Sequence, residues 1–217
     1  MIEKISEGEL AIYPVIHGSL YFEFQGKIIH IDPFSRADYS NLPQADMILI
    51  THHHRDHLDP ELIEKLKKPD TIIIGTKSCN QALDDFIVMK NGDRQELEGL
   101  IIDAVPAYNL VRERSPGVKF HPKGEGNGYV ITFGDTQVYI AGDTECIPEM
   151  KELKDIDIAF VPINLPYTMT PEEAAECAKE FRPRIVYPYH QGKSNPQDFA
   201  KALENEKDIE ARVLDLP

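Results

Sequence analysis

Cysteine is scarce in this chain of 217 residues: Cys79, Cys146 and Cys177 are widely spaced and odd in number. Such a set shows neither a disulfide framework nor a C-x-x-C site, so each is expected to be an unlinked, packed residue. A reducing cytosol is the simplest setting for them. Long apolar runs are missing too. None approaches the roughly 18 residues that a membrane-spanning helix needs, so no membrane segment is expected. The N-terminal stretch Met1-Ile2-Glu3-Lys4-Ile5-Ser6-Glu7 is acidic and mixed, unlike a signal peptide. A cytoplasmic location is therefore the expectation. Basic residues are in deficit: 23 Lys plus Arg against 37 Asp plus Glu give a formal net charge of −14. A surface that acidic repels phosphate backbones, so nucleic acid is not an expected partner. The run Gly124-Glu125-Gly126-Asn127-Gly128 lacks the Lys-Ser/Thr ending and the strand-then-helix context of a phosphate loop.

What remains is a chain with 41% hydrophobic residues, enough for one domain over residues 1–217 with its own core. Its most unusual stretch is Thr51-His52-His53-His54-Arg55-Asp56-His57-Leu58-Asp59, which holds four of the eight histidines. Bunched imidazoles are costly to bury without partners, and imidazole with carboxylate is an ordinary ligand set for zinc, manganese or iron. The spacing is H-x-H-x-D-H. It follows the apolar, β-branched run Asp46–Thr51, which reads as a buried strand. It precedes Asp59–Leu66, which reads as a helix with Asp59 as N-cap and Pro60 at the first position. The cluster thus sits on a strand-to-helix loop at the carboxyl end of a strand, where functional residues of α/β proteins gather. If the loop starts extended, His52 and His54 point one way and His53 the other. His53 is therefore expected at the surface or in a supporting role. Asp56 and His57 follow the turn and can face a second metal.

Elsewhere the alternation predicts strands at 10–16, 19–24, 27–31, 71–75, 100–105, 128–133, 136–141, 156–163, 184–189 and 211–214. Helical stretches are expected around 77–85, after Thr170-Pro171-Glu172-Glu173, and after Asn195-Pro196. Periodicity alone supports an α/β chain. His30 falls inside a strand and reads as a packed histidine. His17, before Gly18 at a strand junction, is equally readable as a rim residue of the metal site or as a turn histidine. Asp32, before Pro33, reads as a residue that fixes loop geometry.

Four segments, taken together, resemble the metallo-β-lactamase superfamily: the His52–His57 signature, His17-Gly18 with Ile31-Asp32-Pro33-Phe34, Ala141-Gly142-Asp143-Thr144, and Tyr187-Pro188-Tyr189-His190. Within it the chain is similar to small stand-alone hydrolases such as ascorbate-phosphate lactonase-like and N-acyl-phosphatidylethanolamine phospholipase D-like proteins. The resemblance implies a four-layer αββα sandwich. It places His52, His54 and a third histidine on a first divalent metal, and Asp56, His57 and His190 on a second, with Asp143 bridging. Zinc is the expected ion, with manganese, iron and nickel as alternatives. Two such ions can hold a hydroxide and polarise a carbonyl or phosphoryl oxygen, and Asp56 is expected to help steer the attacking water. In most relatives the third histidine directly follows the strand that Leu100–Val105 resembles. Here the chain continues Pro106-Ala107-Tyr108-Asn109 with none. His121 is the favoured ligand. Asn109 as a weak ligand, or a site that holds one metal firmly and the other loosely, stays open.

The expected activity is hydrolysis of a small ester, lactone, amide or phosphodiester. A nucleotide phosphodiesterase or nuclease of the same fold, and a non-catalytic metal-binding protein, are the rivals. The di-iron redox branch usually carries glutamate where this chain has His54, and is discounted. Between Pro106 and Asn127, Arg112, Arg114, Lys119 and Lys123 stand against Glu113 and Glu125. With Lys193 they suggest a pocket for an anionic small molecule, weighed evenly against a solvated loop. Tyr108, Tyr167 and Met169 are placed near that pocket by loop position.

Overall fold

The computed structural model describes residues 1–214. Its first sheet runs in sequence order: β1 Ile2–Ile5, β2 Gly8–Ile16, β3 Ser19–Phe24, β4 Lys27–Ile31, β5 Ala45–Leu49, β6 Lys67–Gly75 and β7 Ile87–Val88. The second contains β8 Arg94–Leu97, β9 Leu100–Ala107, β12 Gly126–Phe133, β13 Thr136–Ile140, β14 Ile158–Pro162, β15 Ile185–Tyr189 and β16 Glu210–Ala211. Its order is β16-β15-β14-β13-β12-β9-β8. A small hairpin, β10 Glu113–Ser115 with β11 Val118–Lys119, lies between them in sequence. Both sheets share one plan. Antiparallel neighbours come first, as in β2-β3-β4 and β9-β12-β13. Parallel strands follow, as in β4-β5-β6 and β13-β14-β15.

Helices supply the crossovers of the parallel halves: α1 Pro60–Leu66, α2 Pro148–Lys151, α3 Pro171–Phe181 and α4 Pro196–Ala202. Local chemistry sets where they start. Asp59 accepts the Leu62 N–H at 3.0 Å, and Thr170 with Glu173 forms a reciprocal capping box. The apolar side chains then divide into three clusters. One, including Phe22, Ile31, Tyr129, Phe133 and Phe160, fills the space between the two sheets. A second lies between the second sheet and α2–α4, and a third between the first sheet and α1. Strands β14 and β15 are buried along their whole length, as expected for parallel strands covered on both faces. The order helix, sheet, sheet, helix is the αββα sandwich.

Three local expectations need correction. The stretch 77–85 contains only a 3₁₀ turn, Lys77–Gln81, which has no side-chain cap from Thr76 and buries only Cys79 of its five residues. The long 106–127 loop is partly ordered by the β10–β11 hairpin. Cys146 and Cys177 are not unlinked: they form a disulfide across a sequence separation of 31, with Cα atoms 5.6 Å apart. The packing of α3 over the loop after β13 brings them together, and spacing along the chain carries no trace of that contact. The inference of a reducing setting from unpaired cysteines loses that support. Cys79 is free and buried. Among the described residues no helix is long and apolar enough to cross a membrane.

Candidate metal centre

The carboxyl ends of six strands converge at one edge of the sandwich. His17 follows β2, Asp32 follows β4, the His52–His57 loop follows β5, Asn109 follows β9, Asp143 follows β13 and His190 follows β15. The turns are sharp. His17, Asp32 and His190 all have positive φ (55°, 45° and 47°), a costly conformation for residues with a Cβ that clusters at functional sites. Gly142 also has positive φ, 65°, and a Cβ there would lie 2.8 Å from the Asn127 carbonyl. Only glycine lets the chain turn tightly enough to set Asp143 between the sheets.

Every residue expected to bind metal is brought to this edge, in two groups. On one side, His52 Nε2 faces His54 Nδ1 at 3.0 Å, and the ring of His121 lies 5.1 Å from that of His52 and 4.9 Å from that of His54. On the other side, His57 Nε2 faces His190 Nε2 at 3.0 Å, and Asp56 Oδ2 is 3.4 Å from His190 Nε2. Asp143 lies between the groups. Its Oδ2 is 3.2 Å from His121 Nε2 and 4.0 Å from His52 Nε2. Its Oδ1 is 3.4 Å from His190 Nε2 and 3.6 Å from His57 Nε2. His53 is exposed, as expected.

The outward nitrogen of most of these rings is already occupied. His57 Nδ1 donates to Asp32 Oδ2 at 2.7 Å. That carboxylate also accepts the Thr51 hydroxyl at 2.6 Å and the Thr51 N–H at 2.7 Å. Thr51 Oγ1 lies 3.0 Å from His52 Nδ1, and the Asn164 amide lies 3.2 Å from His190 Nδ1. His121 Nδ1 and its backbone N–H both donate to Asn109 Oδ1, at 3.0 and 2.7 Å. Fixing one ring nitrogen leaves Nε2 as the free ligand atom and sets the plane of the ring. Asn109 is therefore not placed as a ligand. It holds His121, the residue that reaches the cluster from the long loop. That loop is in turn tied by the buried Glu145, whose carboxylate accepts the N–H groups of Leu110, Val111 and Arg112.

The electrostatics suit a cation. Burial and neighbouring imidazoles push His52 well below its ordinary value and His54 down to about 4, leaving both neutral near pH 7. Burial acts on Asp56 and Asp143 in the opposite sense. It is outweighed by His17 and His190 at Asp56, and by His190 and His57 at Asp143, so both carboxyls stay ionised. Burial would lower His57, but Asp143, Asp32 and Asp56 hold it up at about 9. Asp143 Oδ1 is buried with no hydrogen-bond partner, which is uncommon for a buried carboxylate oxygen. Paired imidazole nitrogens facing each other at 3.0 Å, beside an unpartnered carboxylate oxygen, make a donor set that divalent metal ions would satisfy. The compatible triads are His52, His54, His121; His52, His57, Asp143; and His17, Asp56, His190.

His17 is the residue that sequence reasoning left out of the ligand set. Its Nε2 is 3.1 Å from Asp56 Oδ2, its ring centroid is 3.7 Å from that of His190, and its carbonyl accepts the His190 N–H at 3.0 Å. His17 therefore lies both in the turn between β2 and β3 and at the rim of the cluster. Asn164 and Glu145 were missed altogether; nothing in their local sequence marks them, since their partners lie on other loops, far away in sequence. His30 is a packed histidine, with Nε2 3.0 Å from the Pro43 carbonyl.

Of the cations weighed between an anion pocket and a solvated loop at 106–127, Arg114 and Lys119 line a recess at His52, His54, His121 and Asp143. Arg112 pairs with Glu145 and Glu173, Lys119 with Glu113, and Lys123 with Glu149. Tyr108 is buried against Glu149, and Met169 lies in the core under α3. Tyr167 does line a cleft. Two openings reach the cluster. A cleft of about 740 Å³ meets it at His17, and a recess of about 160 Å³ meets it at His52, His54, His121 and Asp143.

Comparisons with known proteins place the chain in a family. The profile of the beta-lactamase superfamily domain matches residues 12–190. A UPF0173 metal-dependent hydrolase of Nanoarchaeum equitans is 31% identical over 210 residues, covering 91% of this chain and 93% of its own. A crystal structure from Parabacteroides distasonis, of a protein assigned by inference as a metal-dependent hydrolase, is 46% identical with a TM-score of 0.94. The match covers 100% of this chain and 98% of that one. A metallo hydrolase from Ignicoccus hospitalis is 26% identical, with a TM-score of 0.77 and 94% of each chain covered.

Proposed function

This chain belongs to the beta-lactamase superfamily and, within it, to the UPF0173 metal-dependent hydrolases, and from that premise we propose that it holds two divalent metal ions and hydrolyses a small ester, lactone, amide or phosphodiester. The observation that carries the reading is the position of Asp143, with one oxygen toward His52 and His121 and the other toward His57 and His190. His52, His54 and His121 would hold one ion and Asp56, His57 and His190 the other, with Asp143 shared. An imidazole-rich set favours zinc over magnesium or calcium. Such ions supply Lewis-acid polarisation of a carbonyl or phosphoryl oxygen and bring the pKa of a coordinated water near neutrality.

The chain's own residues supply the rest. Asp32, Thr51, Asn109 and Asn164 fix the rings, so little reorganisation is needed when substrate enters. Asp56 is only partly buried and remains ionised, so Oδ2 can accept a hydrogen bond from water arriving from the cleft and steer it. His17 Nε2 stands 3.1 Å from Asp56 Oδ2 and can donate to it, which orients that carboxylate.

The test uses protein purified without a metal-affinity tag. Metal content is measured by plasma mass spectrometry, and turnover is measured on a neutral ester, a lactone, an amide and bis-4-nitrophenyl phosphate. Two equivalents of metal and turnover of one class are expected, with activity falling at least about a hundredfold in Asp56→Asn. Two bound equivalents with no turnover of any class would replace the hydrolase by a non-catalytic metal protein.

A further inference from the structure

The larger cleft has charged walls that the metal cluster does not explain. It is lined by His17 at the cluster end, by Asn164 and Tyr167 on one side, and by Arg36, Gln191 and Lys193. Arg36 comes from the loop after β4, and Lys193 from the turn after β15. Both are exposed, and among the described residues neither makes an ion pair. That sets them apart from Arg112, Lys119 and Lys123, each neutralised by a carboxylate. The Gln191 side-chain oxygen, an acceptor, is buried without a partner. The turn is held in place: Gly192 has φ +54°, and a Cβ there would lie 2.0 Å from Asn164 Oδ1. Asn164, which orients His190, thus packs closely against the turn that carries Lys193.

We infer that Arg36 and Lys193 form an oxyanion subsite, and that the substrate carries a carboxylate or phosphate, separate from the bond that is cleaved, which docks between them. Two cations at the mouth of a cleft with low-dielectric walls attract such a group, and an arginine presents a planar fork suited to carboxylate or phosphate oxygens. In a chain of net charge −14, two cations without a carboxylate partner favour the approach of an anion to this cleft. The neighbouring apolar wall, Leu165, Pro166 and Tyr167, suits the carbon skeleton between the anion and the scissile group. The bond cleaved rests on the hydrolase reading; the binding of the anion does not.

The metal-loaded protein and the Arg36→Gln/Lys193→Gln variant are compared on two probes, 4-nitrophenyl hydrogen glutarate and neutral 4-nitrophenyl butyrate. The ratio of kcat/KM for the charged ester over the neutral one is expected to fall at least tenfold in the variant, through KM. An unchanged ratio overturns the subsite. Calorimetric titration with glutarate, and separately with inorganic phosphate, keeps the two readings apart. Loss of binding to either in the variant, with neither ester hydrolysed by the parent, would sustain the subsite and count against ester hydrolysis. Equal binding of both anions by parent and variant would overturn the subsite whatever the turnover. The anion that binds identifies the charged group.

Discussion

Asn109 and His121 are the two candidates for the third ligand of the first ion, and replacing Asn109 by alanine separates a ligand from a residue that holds one. In the structure Asn109 Oδ1 accepts two donors, His121 N–H at 2.7 Å and Nδ1 at 3.0 Å, while its Nδ2 donates to Glu145 and to the Tyr167 carbonyl. Both residues are nearly enclosed, Asn109 at 3% and His121 at 6% exposure. Asn109→Ala leaves the two His121 donors without a partner. At about 1–3 kcal/mol for each buried unsatisfied group, the loss of stability is about 2–6 kcal/mol. Set against a typical total of about 5–15 kcal/mol, most of the population remains folded. The freed ring then samples other orientations, and loss of such a supporting partner typically weakens metal affinity about 10- to 100-fold. His121→Ala removes the ligand itself and should delete one metal equivalent at any attainable concentration. The assay is zinc titration against a competing chelator, with urea denaturation of the metal-free forms alongside. Two weakly held equivalents in Asn109→Ala and one in His121→Ala are expected. The reverse pattern, one in Asn109→Ala and two in His121→Ala, would make Asn109 the ligand and refute the assignment.

Other consequences follow from the same contacts. Gly192→Ala must displace Asn164 and also adopt φ +54°; a loss of at least about 2 kcal/mol is expected, with weaker zinc binding at the His190 side. A denaturation midpoint equal to the parent's would show the turn to be looser than described. Asp32→Asn tests the support of His57. With its pKa raised from 6.5 to about 9, His57 stabilises the metal-free fold fully below its unfolded value. That contribution is lost as pH rises through about 9. The metal-free parent should therefore lose stability between about pH 6 and pH 9.5, and Asp32→Asn should lose less, because the raised pKa depends in part on that carboxylate. Identical pH slopes in the two proteins would remove Asp32 from the account. Zinc uptake near pH 7 should expel about one proton from His57, measurable by calorimetry in buffers of different ionisation enthalpy.

Much of the site was legible in the chain because its first half is local. H-x-H-x-D-H lies within six residues, and a strand before it with a capped helix after it fixes a loop at a strand's carboxyl end. Strand alternation and the Pro-led helix starts are likewise short-range, and they emerged with modest boundary errors. The pairing of Cys146 with Cys177 was not legible, nor was the neutralisation of Arg112 and Lys123 by Glu173 and Glu149. Each joins residues on different elements, and periodicity carries no information about partners across a fold.

The sequence by itself determined the type of chemistry: a dense set of imidazoles and carboxylates, on loops that follow buried strands, in a strongly acidic chain. Tertiary structure decided which atoms meet. Parallel pairing of β4 with β5, of β13 with β14 and of β14 with β15 brings the loops after these five strands to one edge. Positive φ at His17, Asp32 and His190 then turns their side chains inward. That geometry makes Asn109 a support and not a ligand, and brings His17 against Asp56. It also leaves Arg36 and Lys193, about 160 residues apart in sequence, as the free cations of one cleft.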